Sequence, residues 1–137
     1  MKTSYFWKAS HEPVKGVKYI SISRNTPDYL DIKTYPDLFP TWDMINIAHK
    51  SNYCAENFLQ YKNEYLKQLK RLDVKKVYKD LKNTTILCFE SAKDLANGKK
   101  YCHRRIVAKW IETELGIYVP EELRDKENML DVDKKWF

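Results

Sequence analysis

Two stretches of the chain carry apolar side chains at consecutive positions, the pattern of a strand covered on both faces. The first is VKYISIS, from Val17 to Ser23, and the second is TTILCFE, from Thr84 to Glu90. Two shorter stretches, SYFWKA around Tyr5 and IYVPEE, where Pro120 ends the pattern, predict edge strands. The sequence therefore predicts at least two buried strands.

Between and after these strands, apolar residues recur with the spacing of helices. Thr41 is placed to cap a helix that runs to Lys50, and Asp73 is placed to cap another that ends near Leu81. A last helix is predicted from Cys102 to Leu115, ended by Gly116. The longest periodic stretch predicts an amphipathic helix with an apolar stripe of Cys54, Phe58, Tyr61, Tyr65, Leu69 and Leu72.

The alternation of strands and helices predicts an α/β fold, in which a mostly parallel sheet is flanked by helices in a three-layer sandwich. The length of 137 residues fits a single domain over 1–137. The connection from Arg24 to Pro40 holds three prolines, and loops of this length are usually functional or mobile. The charged C-terminal tail, residues 121–137, closes on Trp136 and Phe137, which we expect to dock on the body or on a partner.

Composition narrows the class of protein. A net charge of +6 and a pI near 9.1 favour anionic partners, although the basic excess is moderate. Three cysteines without paired spacing argue against a disulfide framework and predict a reducing, cytoplasmic location. No apolar run reaches the roughly 20 residues that span a bilayer, so no membrane partner is expected. Abundant Lys and Asn with three glycines suit an AT-rich bacterial or phage genome.

Polar groups follow both buried strands and begin the last helix. The carboxyl ends of neighbouring parallel strands meet at one edge of the sheet, where such folds bind ligands. Because a helix N-terminus attracts anions, we expect an anion site there. The alternative is that the two arginines of the helix lie on a solvated face or pair with Glu90 or Asp94. The residues predicted to bind the anion are Ser23, Arg24, Arg104 and Arg105.

The same edge holds candidate chemical groups. Cys102 at the helix end is a candidate nucleophile, with His103 or Glu90 to move protons, and the alternative is a small buried hydrophobe. Adjacency alone does not pair Cys102 with His103, since adjacent helical residues diverge by roughly 100°. Cys88, Cys102 and His103 lack the spacing of a common zinc motif, and no metal or cofactor is predicted. Phosphate-cradling glycine motifs are absent too.

Several of these motifs together resemble a known family. YISISRNTP, YPDLFPTWDMI, ILCFE and CHRRIVAKWIETELGIYVPE, in this order from Tyr19 to Glu121, are similar to the family known as domain of unknown function 488. The resemblance implies a compact α/β fold with a site around Cys88, Glu90, Cys102, His103 and Arg104, and it implies no established reaction. The loop SAKDLANGKKY is longer than the family pattern.

Two functions are consistent with these observations. The first is a binding crevice for an anionic ligand, such as a nucleotide or a nucleic-acid phosphate, with or without catalysis. The second is a non-catalytic interaction protein that binds a macromolecular partner through its basic helices or its aromatic tail. The oligomeric state does not follow from the sequence.

Overall fold

A four-stranded parallel sheet forms the centre of the protein, which is described by a computed structural model over residues 1–50 and 55–137. The strands are β1 (Lys2–Tyr5), β2 (Lys18–Ser21), β3 (Lys33–Thr34) and β4 (Thr84–Cys88). Their order in the sheet is β1-β4-β2-β3, so the last strand of the chain lies in the middle. The predicted helical position of Cys54 lies outside the described residues.

In residues 1–50 and 55–137, six α-helices surround the sheet. They are α1 (Phe6–His11), α2 (Trp42–Lys50), α3 (Phe58–Lys70), α4 (Val74–Leu81), α5 (Ala92–Ala96) and α6 (His103–Leu115). Single 3₁₀ turns lie at Pro36–Leu38, Ala55–Asn57 and Asp125–Glu127. Within the described part of the chain, no helix has both the length and the apolar character needed to cross a bilayer.

The sheet is covered on both faces, as the double-sided apolar strands predict. In β4, Ile86 belongs to the main core, which includes buried side chains of α2, α3, α4 and α6. Its neighbour Leu87 points the other way and packs with Phe6 and Ala9 of α1, and Leu30 and Ile32 pack against that cluster. The predicted α/β class is therefore confirmed.

The predicted helix ends agree with the structure where a specific cap was identified. The Met44 amide donates to Thr41 Oγ1 over 3.2 Å at the start of α2. The carboxylate of Asp73 accepts from the amides of the second and third residues of α4. Gly116 ends α6 with a φ of +68°, a left-handed conformation that favours glycine.

Element ends without caps were predicted less well. β2 and β4 are shorter than the predicted Val17–Ser23 and Thr84–Glu90. After each strand, the chain leaves the sheet toward the candidate site. The brief β3 lies in the proline-rich connection, and α5, capped by Ser91, lies in the loop after β4. Sequence patterns predicted neither element, since each is too short to show a period.

The edge strand predicted for IYVPEE does not form. Instead, the chain around Glu121 makes an isolated bridge beside β1, in which the Thr3 amide donates to the Pro120 carbonyl over 3.0 Å. The Glu122 amide donates to the Thr3 carbonyl over 2.7 Å. Pro120 has no amide to donate, so the pairing does not extend into a strand.

The aromatic end of the tail docks on the body of the protein. The Trp136 indole donates from Nε1 to the Leu95 carbonyl over 3.1 Å. Its ring lies 4.9 Å from that of Phe58 and 5.6 Å from that of Tyr101. The tail therefore belongs to the packed structure.

The cap of α4 gives a simple test of the fold. Replacing Asp73 with Ala leaves two helix amides without an acceptor, which is expected to lower the free energy of unfolding by about 1 kcal/mol. Urea denaturation measures the change. Asp73→Ser keeps an acceptor oxygen and is expected to stay close to the wild-type value, and equal stability of the Ala variant would contradict the capping role.

Candidate functional site

The candidate site lies where β2 and β4 end side by side. Their register pairs Ser21 with Leu87, and the Ile22 amide continues the ladder by donating to the Leu87 carbonyl over 3.1 Å. Residues just beyond the two strands therefore emerge together. They line a cavity of about 220 Å³, whose walls include Ser23, Arg24, Trp42, Cys88, Glu90 and His103.

The two cysteines of the motif meet at this cavity, whose wall includes Cys88. Cys102 is the cap residue of α6 and is extended, with φ −144° and ψ 146°. Its sulfur contacts the sulfur of Cys88, as a disulfide pair would, and the two Cα atoms are 7.0 Å apart. Spacing in the sequence gave no sign of this pairing, because the partners come from a strand end and a helix start.

His103 is oriented by a backbone carbonyl. Its Nε2 lies 2.8 Å from the Ile22 carbonyl oxygen, and because a carbonyl only accepts, Nε2 carries the proton. The bare Nδ1 then lies 3.8 Å from the sulfur of Cys102. The side chains of these two neighbouring residues are therefore in contact. Cys102 lies outside the helix, so the divergence of roughly 100° between adjacent helical side chains does not apply to it.

Burial keeps His103 neutral. It lowers the pKa of the imidazole to about 4, since a charged ring would lose its hydration. The hydrogen bond to Ile22 opposes this shift, and the positive charge of Arg104 adds to it. At neutral pH the imidazole therefore offers an unprotonated Nδ1 lone pair.

Arg104 is fully buried and is held by four hydrogen bonds. Its Nε and Nη2 donate to the two carboxylate oxygens of Glu121 over 3.0 and 2.6 Å. Its Nη1 donates to the Glu90 carbonyl over 2.7 Å and to the Cys88 sulfur over 3.1 Å. The solvated-face alternative is wrong for this residue, and its acidic partner is Glu121 instead of Glu90 or Asp94.

Arg105 is buried on another side of α6. It donates from Nε and Nη2 to the carboxylate of Asp133 over 2.8 and 2.7 Å. Its Nη1 donates to Thr3 Oγ1 and to the Val119 carbonyl. The structure thus places the guanidinium groups of Arg104 and Arg105 in internal ion pairs, outside the residues that line the cavity.

Arg24 is the arginine that lines the cavity. It is exposed, its Nε donates to the Pro40 carbonyl over 2.7 Å, and its guanidinium carbon lies 4.9 Å from the ring centre of Trp42. Among the described residues, no partner is found for its two Nη groups. Ser23, which precedes it, is buried in the cavity wall.

Glu90 is the acidic group of the cavity. Burial raises the pKa of its carboxyl above the ordinary range, and the charge of Arg104 opposes that shift. A carboxyl with a raised pKa can hold or release a proton near a bound ligand. The structure therefore gathers Ser23, Arg24, Glu90 and His103 at one cavity, as the carboxyl-end argument predicts.

Two features of the site were not predicted. Cys88, rather than Cys102, lines the cavity, because α6 begins behind the end of β4. Trp42 is 59% exposed and lines the cavity beside Arg24. A tryptophan at the first position of an amphipathic helix, off its apolar stripe, is the signal that would have identified it.

The two cysteines and His103 also form a set that can hold a metal ion. Their ligand atoms all lie within 4.8 Å of one another, and all three side chains are buried. The absence of a common zinc spacing is therefore no argument against such a set here.

Comparison of the chain with models of protein families, with curated proteins and with solved structures finds no match.

The Arg104–Glu121 pair is expected to be essential for stability. Glu121→Gln leaves a buried guanidinium without its counter-charge, at an expected cost of about 3–5 kcal/mol in the free energy of unfolding. Urea denaturation of both proteins measures the difference. Glu64→Gln, which breaks an exposed pair with Lys67, is the matched control and is expected to leave the unfolding midpoint unchanged. A loss near zero in Glu121→Gln would contradict the argument.

The lowered pKa of His103 predicts a loss of stability in acid. Its pKa is about 4 in the folded chain and about 6.5 when unfolded, so between these values the unfolded chain binds the extra proton. The contribution is complete above pH 6.5, declines as the pH falls to 4, and amounts to about 3 kcal/mol. The groups that face the ring are Arg104, Cys102 and the Tyr65 ring.

His103→Gln keeps an N–H donor for the Ile22 carbonyl but has no group that titrates. The variant therefore isolates the contribution of the imidazole to the pH dependence of stability. Both proteins are unfolded with urea at pH 7 and pH 4, in buffer with a thiol reductant and EDTA. The variant is expected to lose about 3 kcal/mol less than the wild type across this range. Equal losses would show that His103 is not held neutral.

Proposed function

We propose that the protein binds a small phosphate-bearing anion in the cavity at the carboxyl ends of β2 and β4. The observation that carries the proposal is the placement of Arg24. Its side chain is fixed by Pro40 and Trp42 at the cavity, and its Nη donors have no partner among the described residues. Arg104 and Arg105, by contrast, are neutralised by Glu121 and Asp133.

The size of the cavity supports a phosphoryl-sized group inside it. A volume of about 220 Å³ is below the roughly 300 Å³ at which pockets for drug-sized ligands begin. Two exposed aromatic side chains, Trp42 and Phe89, also line it. Aromatic faces of this kind stack nucleobases, which favours a nucleotide whose phosphate enters the cavity and whose base stays outside.

The electrostatics of the cavity also suit an anion. His103 is the first residue of α6, so the positive end of a 13-residue helix is directed to this region. The Cys102 side chain makes no capping hydrogen bond to the helix amides. Burial raises the pKa of Glu90, which lessens the repulsion between its carboxyl and a bound anion.

Binding is the part of the predicted function that the geometry supports best. Of the predicted catalytic set Cys102, His103 and Glu90, the last two line the cavity, and Cys102 lies behind them. We therefore propose anion binding without assigning a reaction. Membership of the 488 family and a cytoplasmic location, inferred from motifs and cysteine usage, are part of the same proposal.

The alternative function, binding of a macromolecule through the basic helices or the aromatic tail, has less support. Trp136 is engaged by Leu95, Phe58 and Tyr101 within the chain. The ring of Phe137 lies 4.9 Å from the ammonium of Lys62. The aromatic tail therefore makes contacts within the chain, although Phe137 stays 44% exposed.

Titration calorimetry with inorganic phosphate, AMP and a short single-stranded oligonucleotide tests the proposal. Arg24→Gln removes a charged donor and is expected to weaken phosphate binding by roughly 10- to 100-fold. The control is Arg71→Gln, an exposed arginine after α3. We expect AMP to bind more tightly than phosphate, and Trp42→Ala to abolish that difference.

The comparison of ligands separates the sources of the phosphate. Tighter binding of the oligonucleotide than of AMP, with a steep decrease in added salt, would identify nucleic acid as the ligand. Equal affinity for AMP and the oligonucleotide would identify a single nucleotide. Equal phosphate affinity in the wild type and Arg24→Gln, or no binding of any of the three, would refute the proposal.

A further inference from the structure

We propose that Cys88, Cys102 and His103 form a site for a thiophilic divalent ion, Zn²⁺ above all, through two sulfurs and Nδ1. These three ligand atoms lie within 4.8 Å of one another and are shielded from solvent. Cysteine sulfur and imidazole nitrogen are the ligands that zinc prefers in proteins. The site does not depend on anion binding in the cavity.

The separation of the two cysteines suits a bridging ion. Their Cα atoms are 7.0 Å apart, whereas Cα distances across disulfides usually end at about 6.8 Å. Two Zn–S bonds of about 2.3 Å in a tetrahedron hold the sulfurs roughly 3.8 Å apart, which suits a wider Cα separation. The sulfurs touch in the structure, so binding an ion requires a side-chain rotation that separates them.

The position of His103 fits the same tetrahedron. Its Nδ1 lies 3.8 Å from the Cys102 sulfur, close to the roughly 3.6 Å expected between a sulfur and a nitrogen on one zinc ion. The opposite ring nitrogen donates to the Ile22 carbonyl over 2.8 Å. Metal-bound histidines commonly have this second hydrogen bond, which fixes the ring and its tautomer.

A second hydrogen bond orients the other side of the site. The Nη1 of Arg104 lies 3.1 Å from the Cys88 sulfur, where its positive charge favours the thiolate that a metal requires. Arg104 is itself fixed by Glu121. Two thiolates balance the charge of a divalent ion, so the buried site becomes neutral when it is filled.

Three protein ligands leave one tetrahedral position open. Two of the three ligand residues, Cys88 and His103, line the cavity that also contains Glu90 and Arg24. Zinc sites that keep three protein ligands use the fourth position for water or a substrate. An ion held by these three residues would therefore have its open position near the cavity.

The site is tested by titrating the fully reduced protein with Co²⁺ and then Zn²⁺. One equivalent of Co²⁺ is expected to give the thiolate-to-cobalt absorption of a tetrahedral site, which Zn²⁺ then abolishes by displacement. We expect Cys88→Ser, Cys102→Ser and His103→Gln each to weaken Co²⁺ binding at least tenfold. Cys54→Ser is the control and is expected to bind as the wild type does.

Folding of each variant is measured separately from metal binding. Zn²⁺ is expected to raise the unfolding temperature of the wild type and of Cys54→Ser, with little effect on the three ligand variants. A variant that unfolds cooperatively in metal-free buffer but gains no stability from Zn²⁺ has lost the site, not the fold.

Three outcomes would overturn the proposal. Reduced wild-type protein without a thiolate-to-cobalt band has no such site. An unchanged band in Cys88→Ser or Cys102→Ser, or its loss in Cys54→Ser, would assign the ion to other ligands. A Cys88–Cys102 linkage found by peptide mapping after air oxidation, without metal binding by the reduced protein, would identify the pair as a disulfide. Phosphate binding by the same variants is measured separately, because the metal site does not depend on anion binding.

Discussion

The buried ion pair between Arg104 and Glu121 is the constraint on which the arrangement of the site depends. Removing each charged group from water costs several kcal/mol, and the cost is offset only when every donor finds a good acceptor. All four hydrogen bonds of the guanidinium are directed to specific groups on two other segments. The pair therefore fixes the end of β4, the first turn of α6 and the start of the tail relative to one another.

This constraint explains how the segment that follows β4, which has little regular structure, keeps a defined conformation. The Glu90 carbonyl and the Cys88 sulfur both accept from one nitrogen of Arg104, so the chain cannot leave β4 in another direction without losing a bond. His103 is fixed independently by Ile22 at the end of β2. Backbone carbonyls and one arginine thus position the groups that face the cavity, which leaves Arg24 available to a ligand.

The sequence predicted those parts of the site that follow from topology. Ser23, Arg24, Glu90 and His103 meet because parallel strands present their carboxyl ends at one edge, and that rule needs only the order of strands and helices. Caps at Thr41 and Asp73 were equally predictable, because the acceptor and the amides it binds are local in sequence.

The contacts that were not predicted are long-range. Arg104 and Arg105 were expected at the anion because both belong to the first turn of α6, where periodicity alone does not show which side chains face inward. Their partners Glu121 and Asp133 are 17 and 28 residues away. The meeting of Cys88 with Cys102 likewise depends on a non-helical cap residue, a detail that no period in the sequence records.

The position of β4 in the sheet has a consequence for the order of folding during synthesis. The ribosome completes β1, β2 and β3 long before it reaches Thr84, yet β4 separates β1 from β2. Until then only β2 and β3 can pair, and β1 has no neighbour in the sheet. Because distant contacts must form before the sheet closes, folding of the nascent chain waits for its last strand. Over that interval the apolar side chains of β2, Tyr19 and Ile20, depend on the helices already made.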